Sequence, residues 1–188
     1  MNFYDIFMYP LERIHLHPMR KKLIPNAIDR VLEIGAGTGV NFKYYEAEKI
    51  ESIVVLDKEE NKEAKKNRLN NMELLVGDAT DLPFEDNSFD TVVETLLLCS
   101  VDKEDEVLRE IYRVLKPNGL FIHIDHGLPE NNVSKKVFNT IAPLWHSITR
   151  SCRINKEYKS LFKKAGFVTI EEVKRGGGVL YGGISRKC

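Results

Sequence analysis

Three glycines at alternate positions, Gly35, Gly37 and Gly39, follow the apolar run Val31–Ile34 in RVLEIGAGTGVNFKYY (30–45). A strand that ends in glycines lets a ligand approach the backbone, because no Cβ stands in the way. A helix after such a loop offers free N–H groups and a partial positive charge to an anion. The loop therefore reads as a site for a nucleoside that carries an anionic group. Polar groups recur at comparable places: Glu33 and Asn41 flank the glycines, Asp57 and Lys58 end an apolar run, and Asp78 and Ala79 open GDATDLPFEDNSFD (77–90). Each acid also has a plain structural reading, Asp57 as the cap of a following helix and Asp78 as the start of a turn. His126, in IDHGLPE, lies just past another apolar run, and a neutral imidazole there can take a proton near neutral pH.

The elements that must position these groups are short β-branched runs alternating with helical patterns, the signature of a parallel sheet flanked by helices. Strands are expected at 30–34, 52–56, 72–76, 89–94 and 119–124. In 102–119, Val107, Leu108, Ile111, Val114 and Leu115 recur at helical spacing, with acids in the first turn and Pro117 and Gly119 at the end. Residues 58–70 read as a helix with a wide solvated face, and 156–165 as a helix capped by Asn155 and closed by Gly166. The runs FVTIEEVKR and GVLYGGISRK are separated by glycines alone, too short a link for a crossover, so they should pair antiparallel. The expected fold is α/β and Rossmann-like: a doubly wound, seven-stranded, mostly parallel sheet with an antiparallel C-terminal hairpin. It forms one domain over 1–188, with 1–28 as an N-terminal helical lid. Ligands of such sheets bind beyond the carboxyl ends of the strands.

The glycine loop lacks the Gly-Lys-Ser/Thr of a P-loop, and its Gly-x-Gly-x-Gly spacing differs from the Gly-x-Gly-x-x-Gly of dinucleotide folds. With Glu33 two positions before Gly35, it resembles motif I of the class I S-adenosylmethionine-dependent methyltransferases. The resemblance runs through Asp57, GDATDLPFEDNSFD, REIYRVLKPNG and the terminal hairpin, nearly the whole chain. It implies S-adenosyl-L-methionine as cofactor, with S-adenosyl-L-homocysteine as product. It further implies that Asp57 accepts from both ribose hydroxyls, that Asp78 bonds the adenine amino group, and that the Ala79 backbone faces the ring. Gly35, Ala36 and Gly37 would pass under the methionine part, with its carboxylate at the start of the next helix. Glu33 would attract the ammonium directly or through water, and Lys58 would cover the adenosine with its stem. Thr95 and Leu96 would lie near the sulfonium. Asn41, Tyr4 and Tyr9 are weaker candidates.

The methyl acceptor is less legible. No Asn/Asp-Pro-Pro-aromatic motif follows strand four and no paired catalytic cysteines are evident, so no nucleic-acid partner is expected; a small-molecule or lipid-like acceptor is favoured. GVNFKYY, TLLLCSV and APLWHSITRSCRINKEYKSLFKKAGF are similar to the thiol S-methyltransferase-like group and, less completely, to bacterial phospholipid N-methyltransferases. That resemblance favours a thiol or an amine. The animal thiol-methylating relatives have a hydrophobic N-terminal anchor that is not expected here, so the resemblance does not carry over their membrane address. His126 is the candidate catalytic base or acceptor-orienting residue, with a loop-capping role as the alternative. His123 reads as a satisfied core or interface histidine, and Cys99 as buried and inert. Trp145 and His146, on a helix interrupted by Pro143, could wall the acceptor pocket, although Trp145 with Ile141 and Ile148 also reads as core. The competing function is an S-adenosylmethionine-binding module that serves a partner without catalysis of its own.

Totals narrow the field. Lys plus Arg and Asp plus Glu both number 28, a formal net charge of zero that argues against a general nucleic-acid binder. The three cysteines, Cys99, Cys152 and Cys188, are far apart with no Cys-x-x-Cys spacing, so neither a disulfide framework nor a metal site is expected, and a cytoplasmic location fits. Cys99 and its distant fellows likewise give no reason to expect metalloid methylation. Residues 3–24 mix apolar and basic residues; the two readings are a lid and a peripheral membrane contact. The oligomeric state is not legible.

Overall fold

The computed structural model describes residues 12–129, 131–149 and 152–188. Seven strands form one sheet in the order β3-β2-β1-β4-β5-β7-β6. They are β1 (Asp29–Ile34), β2 (Ile50–Asp57), β3 (Met72–Val76), β4 (Phe89–Thr95), β5 (Leu115–His126), β6 (Phe167–Arg175) and β7 (Leu180–Lys187). The pairs β1–β2, β1–β4, β2–β3 and β4–β5 are parallel, whereas β7 runs antiparallel to both β5 and β6. The expected α/β architecture, including the terminal hairpin, is therefore present. The central strands bury both faces, which is why they read as continuous apolar runs.

Helices cover both faces. On one lie α1 (His17–Leu23), whose Met19 and Leu23 are fully buried, and α2 (Lys62–Asn67) through Ala64. On the other lie α3 (Glu104–Val114) and α5 (Tyr158–Lys164), which pack Val107, Leu108, Ile111 and Phe162 around Phe121. The remaining helix, α4 (Asn132–Thr149), continues through Pro143. Strand order reverses between β1 and β4, so the carboxyl ends of these two strands frame the crevice.

Local expectations need correction at three places. No α-helix follows the glycine loop; two short 3-10 turns, Phe42–Tyr44 and Ala47–Lys49, lead into β2. Gly35, Gly37 and Gly39 all have positive φ, and the loop closes on itself through Gly39 N to Ala36 O and Phe42 N to Gly39 O. A helix N-terminus is thus not the anion-binding element here. The helix expected over 58–70 is confined to Lys62–Asn67, because Asn61 caps it by accepting from the Glu63 and Ala64 amides and Arg68 is extended. The helix expected from 156 starts at Tyr158 after Glu157, so Asn155 is not its cap.

The lid expected over 1–28 is described from residue 12 onward; Tyr4 and Tyr9 lie outside the described residues. Its described part buries Leu16, Met19, Leu23 and Ile24 against the sheet, which leaves these side chains unavailable to a bilayer. Among the described residues no helix is long and apolar enough to cross a membrane.

Candidate active site

At the switch point the β1–loop junction is fixed by Gly35 N donating to Leu56 O at 2.8 Å and Gly37 N donating to Asp57 Oδ2 at 2.8 Å. The second of these bonds ties the loop to the end of β2. Gly35 has φ +72°, a backbone conformation that calls for glycine, and a Cβ there would also press on Leu97 Cδ1 at 2.9 Å. Gly35, Asp57, Lys58, Asp78, Ala79 and Leu97 line a cleft of ≈ 460 Å³, continued by residues 100–103. Five predicted residues thus line one cleft, and Gly37 contacts one of them, Asp57, through its amide. Ala36 and Gly37 border a separate small depression with Asp57 and Asn61. Asp78 Oδ1 accepts from the Thr80 amide at 2.9 Å and hydroxyl at 2.8 Å, and these bonds hold its carboxyl below the usual range. Asp78 both starts a turn and lines the cleft.

Behind the loop lies a buried polar cluster. Glu33 is fully buried; its oxygens accept from Asn41 Nδ2 at 2.9 Å and the Tyr45 hydroxyl at 2.6 Å. Burial raises its carboxyl, against the lowering effect of those two bonds and of Arg20. Asn41 also donates to Thr95 Oγ1 at 3.1 Å. Arg20, from α1, donates to Asn41 Oδ1 at 2.5 Å and to Thr95 Oγ1 at 2.9 Å. Glu33, Asn41 and Thr95 are therefore brought together, beneath the loop. Arg20 and Tyr45 were not anticipated: Arg20 belongs to a basic run that reads as surface.

At the carboxyl ends of β4 and β5 the chain is bent sharply. Leu96 has φ +59°, an unusual conformation for a branched residue, with its amide on Ile124 O at 2.7 Å. The bend carries Cys99 to His126, the last residue of β5. Cys99 Sγ lies 3.7 Å from His126 Nδ1, Cys152 Sγ lies 3.2 Å from the same atom, and the two sulfurs are 3.8 Å apart. All three residues are buried. Asp125 Oδ1 accepts from the Cys99 amide at 2.9 Å, and Arg153 N donates to Cys99 O at 2.7 Å. Cysteines that are distant in sequence are thus adjacent in the fold, contrary to their reading as unrelated residues. The bond with Cys99 and the adjoining His126 draw the Cys152 thiol down to about 4, while Cys99 is pushed up. Beside them Glu94 and Asp125 are both raised by burial, Asp125 to about 6. Leu96, Phe138 and Trp145 pack against this group, whereas Ile141 and Ile148, read with Trp145 as core, are exposed. No motif spacing signals the pairing of Cys99 with Cys152.

A second cleft, between Gly127, Tyr158 and Tyr181, is rimmed by five lysines. Four of these face acids: Lys135 meets Glu157, Lys156 meets Glu104, and Lys159 and Lys174 meet Glu172. Three acids thus offset part of the charge of the five lysines.

The sheet order, the reversed last strand and the cleft over a glycine loop define the class I S-adenosylmethionine-dependent methyltransferase fold, and residues 32–123 match the methyltransferase domain family. Residues 32–123, just under half of the chain, are similar to this family. It is 32% identical over 146 residues to the human thiol S-methyltransferase TMT1A, covering 73% of this chain and 59% of that protein. It is 33% identical over 164 residues to a demethylmenaquinone methyltransferase from Listeria monocytogenes serotype 4b (strain CLIP80459), covering 77% and 64%. The chain thus spans about three fifths of the length of these relatives. A methyltransferase structure from Bacillus halodurans C-125 superposes with a TM-score of 0.74 at 19% identity, covering 92% of this chain and 98% of that one. The cofactor of the family fits the residues present: the cleft volume suits a nucleoside, and Asp57 offers carboxylate acceptors at its rim.

Proposed function

We propose that this chain is an enzyme that transfers a methyl group from S-adenosyl-L-methionine to a small-molecule or lipid-like acceptor, with a thiol or amine favoured. The observation that carries the proposal is the cleft lined by Gly35, Asp57, Lys58, Asp78 and Ala79 at the strand-order reversal. When bound, the cofactor supplies a methyl group on a sulfonium whose departure as a neutral thioether needs no acid. The protein's contribution is then alignment and the exclusion of water. Asp57 accepts from the ribose, Asp78 from the adenine amino group, and the Lys58 stem covers the nucleoside. Gly35, Ala36 and Gly37 leave the backbone bare beneath the methionine part. Glu33 acts through Asn41, since both of its oxygens are engaged by side chains, and Arg20 holds Asn41 and Thr95 in place. Thr95 and Leu96 bound the reacting end. His126 is the base or orienting residue on the acceptor side, next to the Cys99 and Cys152 thiols.

Relatives named for a thiol and for a quinone precursor support a small acceptor without choosing between them. The test joins calorimetry with S-adenosylhomocysteine to a product assay over thiols, amines, phospholipids and quinone precursors. Binding together with methylation of a thiol or amine is expected. Binding without turnover on any acceptor would favour the cofactor-binding module instead.

A further inference from the structure

We propose that Cys99, His126 and Cys152 bind a soft divalent cation, zinc by its chemistry, and that the metal's fourth position receives the acceptor as a thiolate. The proposal rests on the methyltransferase reading above and specifies its acceptor end. A tetrahedral zinc with Zn–S of about 2.3 Å and Zn–N of about 2.0–2.1 Å separates two sulfurs by about 3.8 Å and sulfur from nitrogen by about 3.5 Å. The observed separations are 3.8 Å for the sulfurs and 3.7 and 3.2 Å for sulfur to Nδ1. The sulfur–sulfur separation matches that of such an ion, and the two sulfur-to-Nδ1 separations lie on either side of its ideal, so a small shift of the Cys152 side chain completes the geometry.

Strand pairing and backbone hydrogen bonds hold the frame around them. His126 is held in the sheet by pairing with Leu180, the Cys99 amide donates to Asp125, and the Arg153 amide donates to the Cys99 carbonyl, which anchors the Cys152 segment. Two thiolates and an imidazole select a soft or borderline metal over magnesium or calcium. Among the described residues this is the sole group of three such donors, and three protein ligands leave one position of a tetrahedron for substrate. The cluster also lies next to Leu96, at the end of β4. A thiol entering the fourth position loses its S–H bond; the proton passes to water, and the sulfur pair bonds the metal. The sulfur stays nucleophilic without a free base, so of the two roles given to His126 the orienting one applies, exerted as a metal ligand.

The experiment uses the full chain, purified under reducing conditions, stripped with a chelator and given one equivalent of Zn²⁺ or Co²⁺. One metal per chain should survive gel filtration. The cobalt form should show a thiolate-to-cobalt band and the intense visible bands of four-coordination, and these should shift when ethanethiol is added. Cys99→Ser, Cys152→Ser and His126→Ala should each weaken Zn²⁺ binding by more than the about 10–100-fold typical of an outer-shell partner. Cys188→Ser, at the exposed third cysteine, should leave it unchanged. Absence of stoichiometric metal in the wild-type chain overturns the site whether or not the variants fold. A cobalt spectrum indifferent to ethanethiol overturns the acceptor role. S-adenosylhomocysteine binding is measured in parallel. Its persistence without metal binding sinks the metal site alone, whereas its absence from the wild-type chain sinks the methyltransferase reading.

Discussion

At the scale of single residues, the position of Asp57 makes the sharpest claim. Its carboxylate holds the glycine loop through the Gly37 amide and stands at the rim of the cleft. Hydrogen bonds to a charged group contribute about 1.5–3 kcal/mol each, so losing two from the ribose should weaken S-adenosylhomocysteine binding at least about 100-fold in Asp57→Ala. Calorimetry measures this, and an affinity within threefold of wild type would refute the assignment. His123 offers a different test. It is fully buried between Phe121, Phe162 and Tyr181, and neither ring nitrogen has a hydrogen-bond partner among the described residues, so the core reading holds but the expectation that it is satisfied does not. Burial depresses its pKa to about 3. The unfolded chain therefore takes up a proton below about pH 6.5 while the folded chain stays neutral until far lower. The stability His123 contributes is complete above that value and falls as pH falls towards about 3. By pH 5 the loss is about 2 kcal/mol. Urea unfolding at pH 7 and pH 5 should show His123→Phe losing about that much less than wild type.

At the scale of elements, the strands could be read from sequence because parallel strands buried on both faces are apolar throughout. The terminal hairpin was legible because no crossover fits between its runs. The helix after the glycine loop was not, since the turns that replace it depend on positive φ at three glycines and on the Asn41–Glu33 bond across to β1. Asp57, Asp78 and Gly35 were legible from order along the chain; the Cys99–Cys152 pair was not, because 53 residues separate two side chains that only the Leu96 bend and the Arg153 amide bring together. Arg20 escaped for a related reason: one guanidinium in a basic run turns inward when its helix buries Met19 and Leu23. This gives α1 a role beyond cover. Arg20→Ala leaves the buried Asn41 Oδ1 without its guanidinium donor, at a cost of about 1–3 kcal/mol, while Thr95 Oγ1 keeps the Asn41 amide. The variant should unfold at lower urea and bind S-adenosylhomocysteine more weakly. Unchanged affinity would confine Arg20 to holding the lid.

At the scale of the whole molecule, the cleft draws its walls from segments that meet only in the folded chain: the loop after β1, the end of β2, the turn after β3 and the loop after β4. A ligand held by all four binds the native state and not the unfolded chain, so it must raise stability by RT ln(1 + [L]/Kd). At a ligand concentration one hundred times Kd that is about 2.7 kcal/mol. For a chain of 188 residues, each kcal/mol moves Tm by about 2–4 °C. S-adenosylhomocysteine should therefore raise Tm by about 5–11 °C. Asp57→Ala should cut the shift to about 1–2 °C at the same concentration, because its weaker affinity brings the ligand close to its Kd. NADH should produce none, since the Gly-x-Gly-x-Gly loop runs into 3-10 turns and lacks the helix N-terminus that receives a pyrophosphate. A NADH shift as large as that of S-adenosylhomocysteine would reassign the cleft to a dinucleotide. A S-adenosylhomocysteine shift retained in Asp57→Ala would place the nucleoside elsewhere in the molecule.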